Sequence, residues 1–223
     1  QYRGVAGVVI ACVDFDDPQV LELVNSKLPV VTIDHVFNNR AAVVSDNVRG
    51  MEELVRYVYA KGHRRIAFIH GEQTAVTENR LTGFYRACDA LELEIPDAYI
   101  REGVYHDPDR CAELTRELLH LPEPPTCILM PDDFSSIGGR NAIHRMDLRL
   151  PEDISVAGYD GIQIASVMSP ALTTYRQDTQ ALGRTAAAKL IELIEKPRTA
   201  LVDRVLIPGH LVEGASVRAI ETL

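Results

Sequence analysis

The sequence predicts an α/β protein whose sheets are mainly parallel. Three observations carry this. Short aliphatic runs recur without polar alternation, as expected of strands covered on both faces. Segments with helical spacing of apolar residues separate them. The two kinds alternate along the chain, and strand–helix–strand units close right-handed with parallel strands.

Taken in order, Val5–Val13 is the first strand, Val30–Ile33 the second and Ala42–Val44 the third. A helix follows, with Val48, Met51, Leu54, Val55, Val58 and Tyr59 on one stripe; Asp46 or Asn47 starts it and Gly62 stops it. Ile66–Ile69 is the next strand, and Leu81, Phe84, Tyr85, Cys88 and Leu91 mark the helix after it. Asp107-Pro108 is a capping aspartate with proline at the first helical position; Cys111, Leu114, Leu118 and Leu119 continue that helix. Cys127–Met130 is a strand, followed by a helix through Phe134, Ile137, Ala142 and Met146 in which Gly138-Gly139 permits close backbone approach. Ile154–Tyr159 and Leu172–Tyr175 are strands. Leu182, Ala186, Leu190, Leu193 and Ile194 form a helix ended by Pro197, and Val202–Ile207 is the last strand.

Ligands of such folds bind beyond the carboxyl ends of the strands. The polar residues there are Asp14, Asp34-His35, Ser45-Asp46-Asn47, His70-Gly71, Asp132-Asp133 and Asp160, so acidic and amide groups dominate. The chain has 223 residues, 46% hydrophobic and 25% charged, which are globular proportions sufficient for one large domain or two small ones. A net charge of −9 argues against a basic nucleic-acid surface within this chain, and 6% aromatic content without Trp argues against a stacking platform for single strands. The longest stretch free of Asp, Glu, Lys and Arg, Gly161–Tyr175, is too short and polar to span a bilayer. Gln1-Tyr2-Arg3-Gly4 does not read as a secretory leader.

Cys12, Cys88, Cys111 and Cys127 stand apart, each in an apolar run and without zinc-site spacing; buried reduced thiols in a reducing cytoplasm are expected. GxGxxG, P-loop, GxSxG and HExxH patterns are absent. Asp132-Asp133 admits two readings: a hydrolytic or metal-binding pair, or a turn in which Asp133 caps the next helix. His63, just after a helix, reads as a positive group at its C-terminal end. No catalytic residue, metal or cofactor is expected.

Several motifs in order carry more than a fold class. They are Pro29-Val30-Val31-Thr32-Ile33-Asp34, Val43-Val44-Ser45-Asp46-Asn47 with Gly50, and Gly62-His63-Arg64-Arg65-Ile66-Ala67-Phe68-Ile69. Arg80 with Gly83-Phe84, Pro125-Thr126 and Asp132-Asp133 follow. Leu150-Pro151-Glu152-Asp153-Ile154-Ser155-Val156-Ala157-Gly158-Tyr159-Asp160 and Pro170-Ala171-Leu172-Thr173-Thr174-Tyr175-Arg176-Gln177, then Gly183, complete the set. From about Val5 to Arg218 the chain resembles the LacI/GalR family of bacterial transcriptional regulators.

The resemblance implies the periplasmic-binding-protein-like type I fold: two doubly wound parallel-sheet subdomains joined by three crossovers, with the effector between them. Residues 1–44 and 178–208 would form the N-terminal subdomain, and 45–177 with 209–223 the C-terminal one. Family members begin with a helix-turn-helix, a hinge helix and further strand–helix units, so a longer protein is implied, with the N-terminal subdomain incomplete in this chain. By position in the family pattern, Asp34, Val44, Arg80, Tyr105, Asp132, Asp160 and Thr179 would meet the effector. Carboxylate acceptors, an Arg donor fork and an aromatic face suit a polyhydroxylated ligand. The family commonly has Asn where Asp132 stands and an acidic residue where Gly161 stands. The carboxylate-rich set implies a neutral sugar or polyol, or a cationic one, rather than a sugar phosphate or carboxylic acid.

The implied function is the effector-sensing and dimerisation domain of a cytoplasmic, homodimeric regulator. A small sugar-like ligand would modulate operator DNA binding by a domain outside this chain. The alternative is a periplasmic sugar-binding protein of a transporter, which shares the fold. An α/β enzyme is a further rival, but the sequence offers no nucleophile, base and orienting group as a set.

Overall fold

The computed structural model describes residues 4–220. Residues 1–3, part of the stretch read above as no leader, and 221–223 lie outside the described residues. In chain order the elements are β1 (Val8–Ile10), α1 (Pro18–Val24), β2 (Val30–Ile33), β3 (Ala41–Ser45), α2 (Asn47–Ala60), β4 (Ile66–His70) and α3 (Ala75–Ala90). A 3-10 turn, Asp97–Tyr99, leads into β5 (Ile100–Glu102), α4 (Pro108–Leu119), β6 (Cys127–Leu129) and α5 (Ser136–Arg145). Then come β7 (Ser155–Asp160), α6 (Gln163–Val167), β8 (Thr173–Arg176), α7 (Thr179–Glu195), β9 (Arg204–Ile207) and β10 (His210–Val212). No helix among the described residues is long and apolar enough to cross a membrane.

The chain divides into two compact units. The first is the chain up to Asp46 together with Asp178–Pro208; the second is Asn47–Gln177 with the chain from Gly209 onward. The first unit holds a parallel sheet in the order β1-β2-β3-β9. Successive strand residues face opposite sides. Val31, Ala41 and Val43 therefore pack against Leu182 and Ala186 of α7, while Ile10 and Val30 pack against Leu23 and Val24 of α1.

The second unit holds a sheet in the order β10-β8-β7-β6-β4-β5, parallel except for the β10–β8 pair. On one face Ile66, Phe68, Cys127 and Leu129 meet Met51, Leu54, Val55 and Val58 of α2 and Phe84 of α3. On the other, Ala67, Ile69 and Ile128 meet Leu114 and Leu118 of α4 and Ile143 of α5. Burying each large aliphatic or aromatic side chain contributes roughly 1.5–3 kcal/mol. The continuous apolar strand runs thus reflect strands sandwiched between helix pairs. Gly50 of α2 has a packing cause, since a Cβ there would stand 2.2 Å from the Tyr159 hydroxyl.

Several details differ from the sequence reading. Val5–Val13 is strand only at Val8–Ile10; beyond it Cys12 takes a φ of 55° and is exposed, so it is not a buried thiol. Cys88, Cys111 and Cys127 are buried, and burial pushes the Cys88 and Cys111 thiols up to about 12. Asp17-Pro18 starts α1, with the Asp17 carboxylate accepting from the Gln19 N–H, the same signature that marks α4. α1, the edge strands β5 and β10 and the short α6 have no counterpart in the predicted elements. His63 is not a charged helix terminus: it is fully buried, and burial pushes its ring down to about 4.

Candidate functional site

In the second unit, strand order reverses beside β4: the chain steps from β4 to β5 on one side and later to β6 on the other. Loops leave such a switch point in opposite directions, and the crevice between them is where doubly wound sheets bind ligands. The β4–α3 connection leads to Arg80, the β5–α4 loop carries Tyr105, the β6–α5 turn holds Asp132-Asp133, and β7 ends at Asp160.

Arg80 is the hub. It is 3% exposed, and each of its three guanidinium nitrogens donates to a defined partner. Nε donates to Asn47 Oδ1 at 2.9 Å, Nη1 to the Pro131 carbonyl at 2.8 Å and Nη2 to Asp160 Oδ1 at 3.1 Å. Its central carbon lies 3.7 Å from the Tyr159 ring centroid and 5.4 Å from that of Tyr105. A desolvated guanidinium on aromatic faces gains cation–π attraction, and its five N–H donors exceed the three acceptors fixed here. The Tyr159 hydroxyl is buried with no hydrogen-bond partner among the described residues.

Asp160 has a φ of 97° and also accepts from Gln177 Nε2 at 2.6 Å. The Tyr105 hydroxyl lies 2.9 Å from Thr77 Oγ1, and its backbone N–H donates to Glu72 Oε2 at 2.8 Å. Burial pushes the Tyr105 phenol above its usual value, opposed by the Arg80 charge.

The structure therefore brings Arg80, Tyr105 and Asp160 together. Asp132 stands on the neighbouring turn but exposes no surface; its Oδ1 accepts the Ser135 N–H at 2.7 Å and its Oδ2 the His106 N–H at 2.9 Å. Asp132, not Asp133, makes the capping-type contact before α5. Asp133 instead accepts from Thr174 Oγ1 at 2.6 Å and the Ile162 N–H at 2.8 Å, which corrects its reading as a cap. Burial pushes Asp133 up to about 7, with those two hydrogen bonds opposing.

The other three predicted positions lie in the first unit. Asp34, with a φ of 56°, braces β3 by accepting from the Ser45 N–H at 2.6 Å. Val44 is buried within β3, and Thr179 is exposed at the first position of α7. Asn47, Thr77 and Tyr159 belong to the Arg80 cluster and were outside the predicted set. Asn47 had a signal, as a polar residue just after a strand. Among the described residues no group of three or more His, Cys, Asp or Glu is placed to hold a metal ion.

A family profile described as periplasmic binding protein-like domain matches residues 55–217. The chain belongs to that family. Within it, the chain is homologous to LacI-family repressors. It is 29% identical to the probable HTH-type transcriptional repressor ExuR of Bacillus subtilis, covering 100% of this chain and 66% of that protein. It is 30% identical to the HTH-type transcriptional repressor PurR of Escherichia coli, covering 97% and 66%. The chain thus spans just under two thirds of the length of these relatives. Among solved structures, the complex of the transcriptional regulator CelR with cellobiose has a TM-score of 0.88 at 26% identity, covering 96% of this chain and 67% of that one. A LacI-family regulatory protein from Chloroflexus aggregans has a TM-score of 0.84 at 28% identity, covering 95% and 76%. The periplasmic-binding-protein-like fold predicted from the motifs is the fold of these regulators.

Proposed function

We propose that this chain is the effector-binding part of a bacterial LacI-family regulator and that Arg80, Tyr105 and Asp160 contact the effector. The observation that supports this best is the Arg80 guanidinium, buried at the strand ends beside two tyrosine rings with donors to spare. A donor fork, a carboxylate acceptor and an aromatic face match the hydroxyls, ring oxygen and C–H faces of a sugar. Asp34, Val44 and Thr179 are the first unit's candidate contacts. The cellobiose in the CelR complex makes a neutral sugar the first ligand to test.

In this reading the protein is a cytoplasmic homodimer that meets operator DNA through a domain outside this chain. All four cysteines are free thiols, which suits a reducing compartment. Effector binding shifts the population of two arrangements, with a coupling free energy of ~1–3 kcal/mol.

The test is calorimetric titration of the full-length protein with cellobiose, ribose, a uronic acid and a sugar phosphate. A neutral sugar is expected to bind, and Arg80→Met to weaken it at least about tenfold through loss of charge-assisted hydrogen bonds. Binding of the anionic ligands alone would overturn the neutral-sugar assignment; undiminished binding by Arg80→Met would overturn the site.

A further inference from the structure

Asp132 and Asp133 are neighbours on one turn, both fully buried, yet their hydrogen bonds run to different loops. Asp132 Oδ2 accepts the His106 N–H at 2.9 Å and the Ser135 hydroxyl at 2.7 Å. Ser135 Oγ in turn accepts the Asp107 N–H at 3.1 Å. With Glu72 holding the Tyr105 N–H, three successive amides of one loop are accepted by side chains of two other loops. Asp133 Oδ2 accepts the Ile162 N–H at 2.8 Å and Oδ1 the Thr174 hydroxyl at 2.6 Å. This fixes the turn in which Asp160 and Gly161 have φ values of 97° and 68°. Gly158 makes room for that carboxylate, since a Cβ there would stand 2.3 Å from Asp133 Oδ1.

We propose that Asp132 and Asp133 are paired positioning residues, the first setting Tyr105 and the second Asp160 relative to Arg80, without touching the effector themselves. The link to the effector rests on the function proposed above; the placement of the two loops does not. An Asn can fill each space but presents one acceptor oxygen where the carboxylate presents two. The charged groups around Asp133 are Asp132 on its own turn, Asp160 at the end of β7, Arg80 of α3 bound to Asp160, and Arg176 of β8, whose Nε donates to the Gly161 carbonyl at 3.0 Å. Because burial brings Asp133 up to about 7, the ionised brace forms across neutral pH.

Backbone hydrogen exchange in the full-length protein tests this. Asp133→Asn is expected to speed exchange at residues 160–162 about tenfold, the scale of one hydrogen bond to a charged group, and to leave 105–107 unchanged. Asp132→Asn is expected to do the reverse. In the wild-type protein, protection at 160–162, corrected for intrinsic rate, should rise between pH 6 and 8, and this rise should vanish in Asp133→Asn. If a variant fails to fold, the wild-type pH profile decides for Asp133 and Ser135→Ala replaces Asp132→Asn as the probe of 105–107. Loosening of both loops by either substitution, no change at either, or a flat wild-type profile overturns the proposal. Failure of every sugar to bind would overturn the effector reading while leaving the exchange result standing.

Discussion

His63 is fully buried, with Nδ1 2.9 Å from Thr126 Oγ1 and Nε2 3.1 Å from the Arg218 carbonyl. A carbonyl only accepts, so Nε2 carries the proton and Nδ1 accepts from the threonine hydroxyl. Burial above all lowers the ring to about 4, with the Arg218 and Arg64 charges adding to it and the Arg218 carbonyl opposing. Below about 6.5 the unfolded chain therefore takes up a proton that the folded chain refuses. The stability from His63 is complete above that pH and falls by roughly 2–3 kcal/mol as pH drops towards 4. Asp133 acts with the opposite sign, because its raised value lets the folded state hold a proton between the usual carboxylate range and about 7. The net slope is thus a difference, and a substitution must isolate the histidine. Urea unfolding of wild-type protein and His63→Asn should show the wild-type advantage shrinking by roughly 2–3 kcal/mol from pH 7.5 to 4.5. A constant gap would refute the assignment. At this scale the sequence showed residue types but not their partners. Asp132 and Asp133 look alike on the chain, and only folding separates them, by delivering Thr174 and Ile162 to one and His106 to the other.

Two helical glycines show how much an element depends on what it lies against. Gly138 of α5 sits on the start of α4, where a Cβ would stand 1.6 Å from the Pro108 carbonyl oxygen. Gly138→Ala must push backbone from backbone, a strain expected to cost about 1–3 kcal/mol. Gly183 of α7 has nothing within 4 Å of such a Cβ. Gly183→Ala should stabilise by about 0.5–1 kcal/mol, because alanine leaves the unfolded chain fewer conformations to lose. Thermal unfolding checks both, and a Gly183→Ala midpoint below wild type would contradict the open space. The same dependence explains which elements the sequence revealed. The Val48–Tyr59 stripe and the α4 stripe each have one buried face, so their periodicity is plain. β5 and β10 are three-residue edge strands without a fully buried residue, so no apolar run marks them. α1 carried a readable Asp-Pro start but has only two buried residues to follow it.

At the scale of the whole molecule, each of the two units has its own sheet and its own core clusters, so one two-state transition does not describe unfolding. Asp160 was legible from strand-end position and motif order together, Arg80 from motif order and Tyr105 from its place in the family pattern. Asn47 carried the strand-end signal alone, and Tyr159 joins them because folding lays its ring 3.7 Å from the central carbon of the Arg80 guanidinium. That placement gives the proposed effector contacts an address within the second unit. There is no Trp, and every tyrosine except Tyr2 lies in the second unit, so tyrosine fluorescence follows that unit's unfolding. A ligand at about 100 times its Kd adds about 2.7 kcal/mol to the state it binds. For a unit of this size each kcal/mol raises the midpoint by roughly 2–4 °C. Saturation with a sugar that binds should therefore raise the tyrosine-detected midpoint by roughly 5–10 °C. Arg80→Met, binding at least about tenfold more weakly, should cut the rise to about half or less at the same sugar concentration. Calorimetry on the same samples records unfolding of both units. If bound sugar moves only a transition to which tyrosine fluorescence is silent, the contacts belong to Asp34, Val44 and Thr179, and the Arg80 cluster is not the effector site.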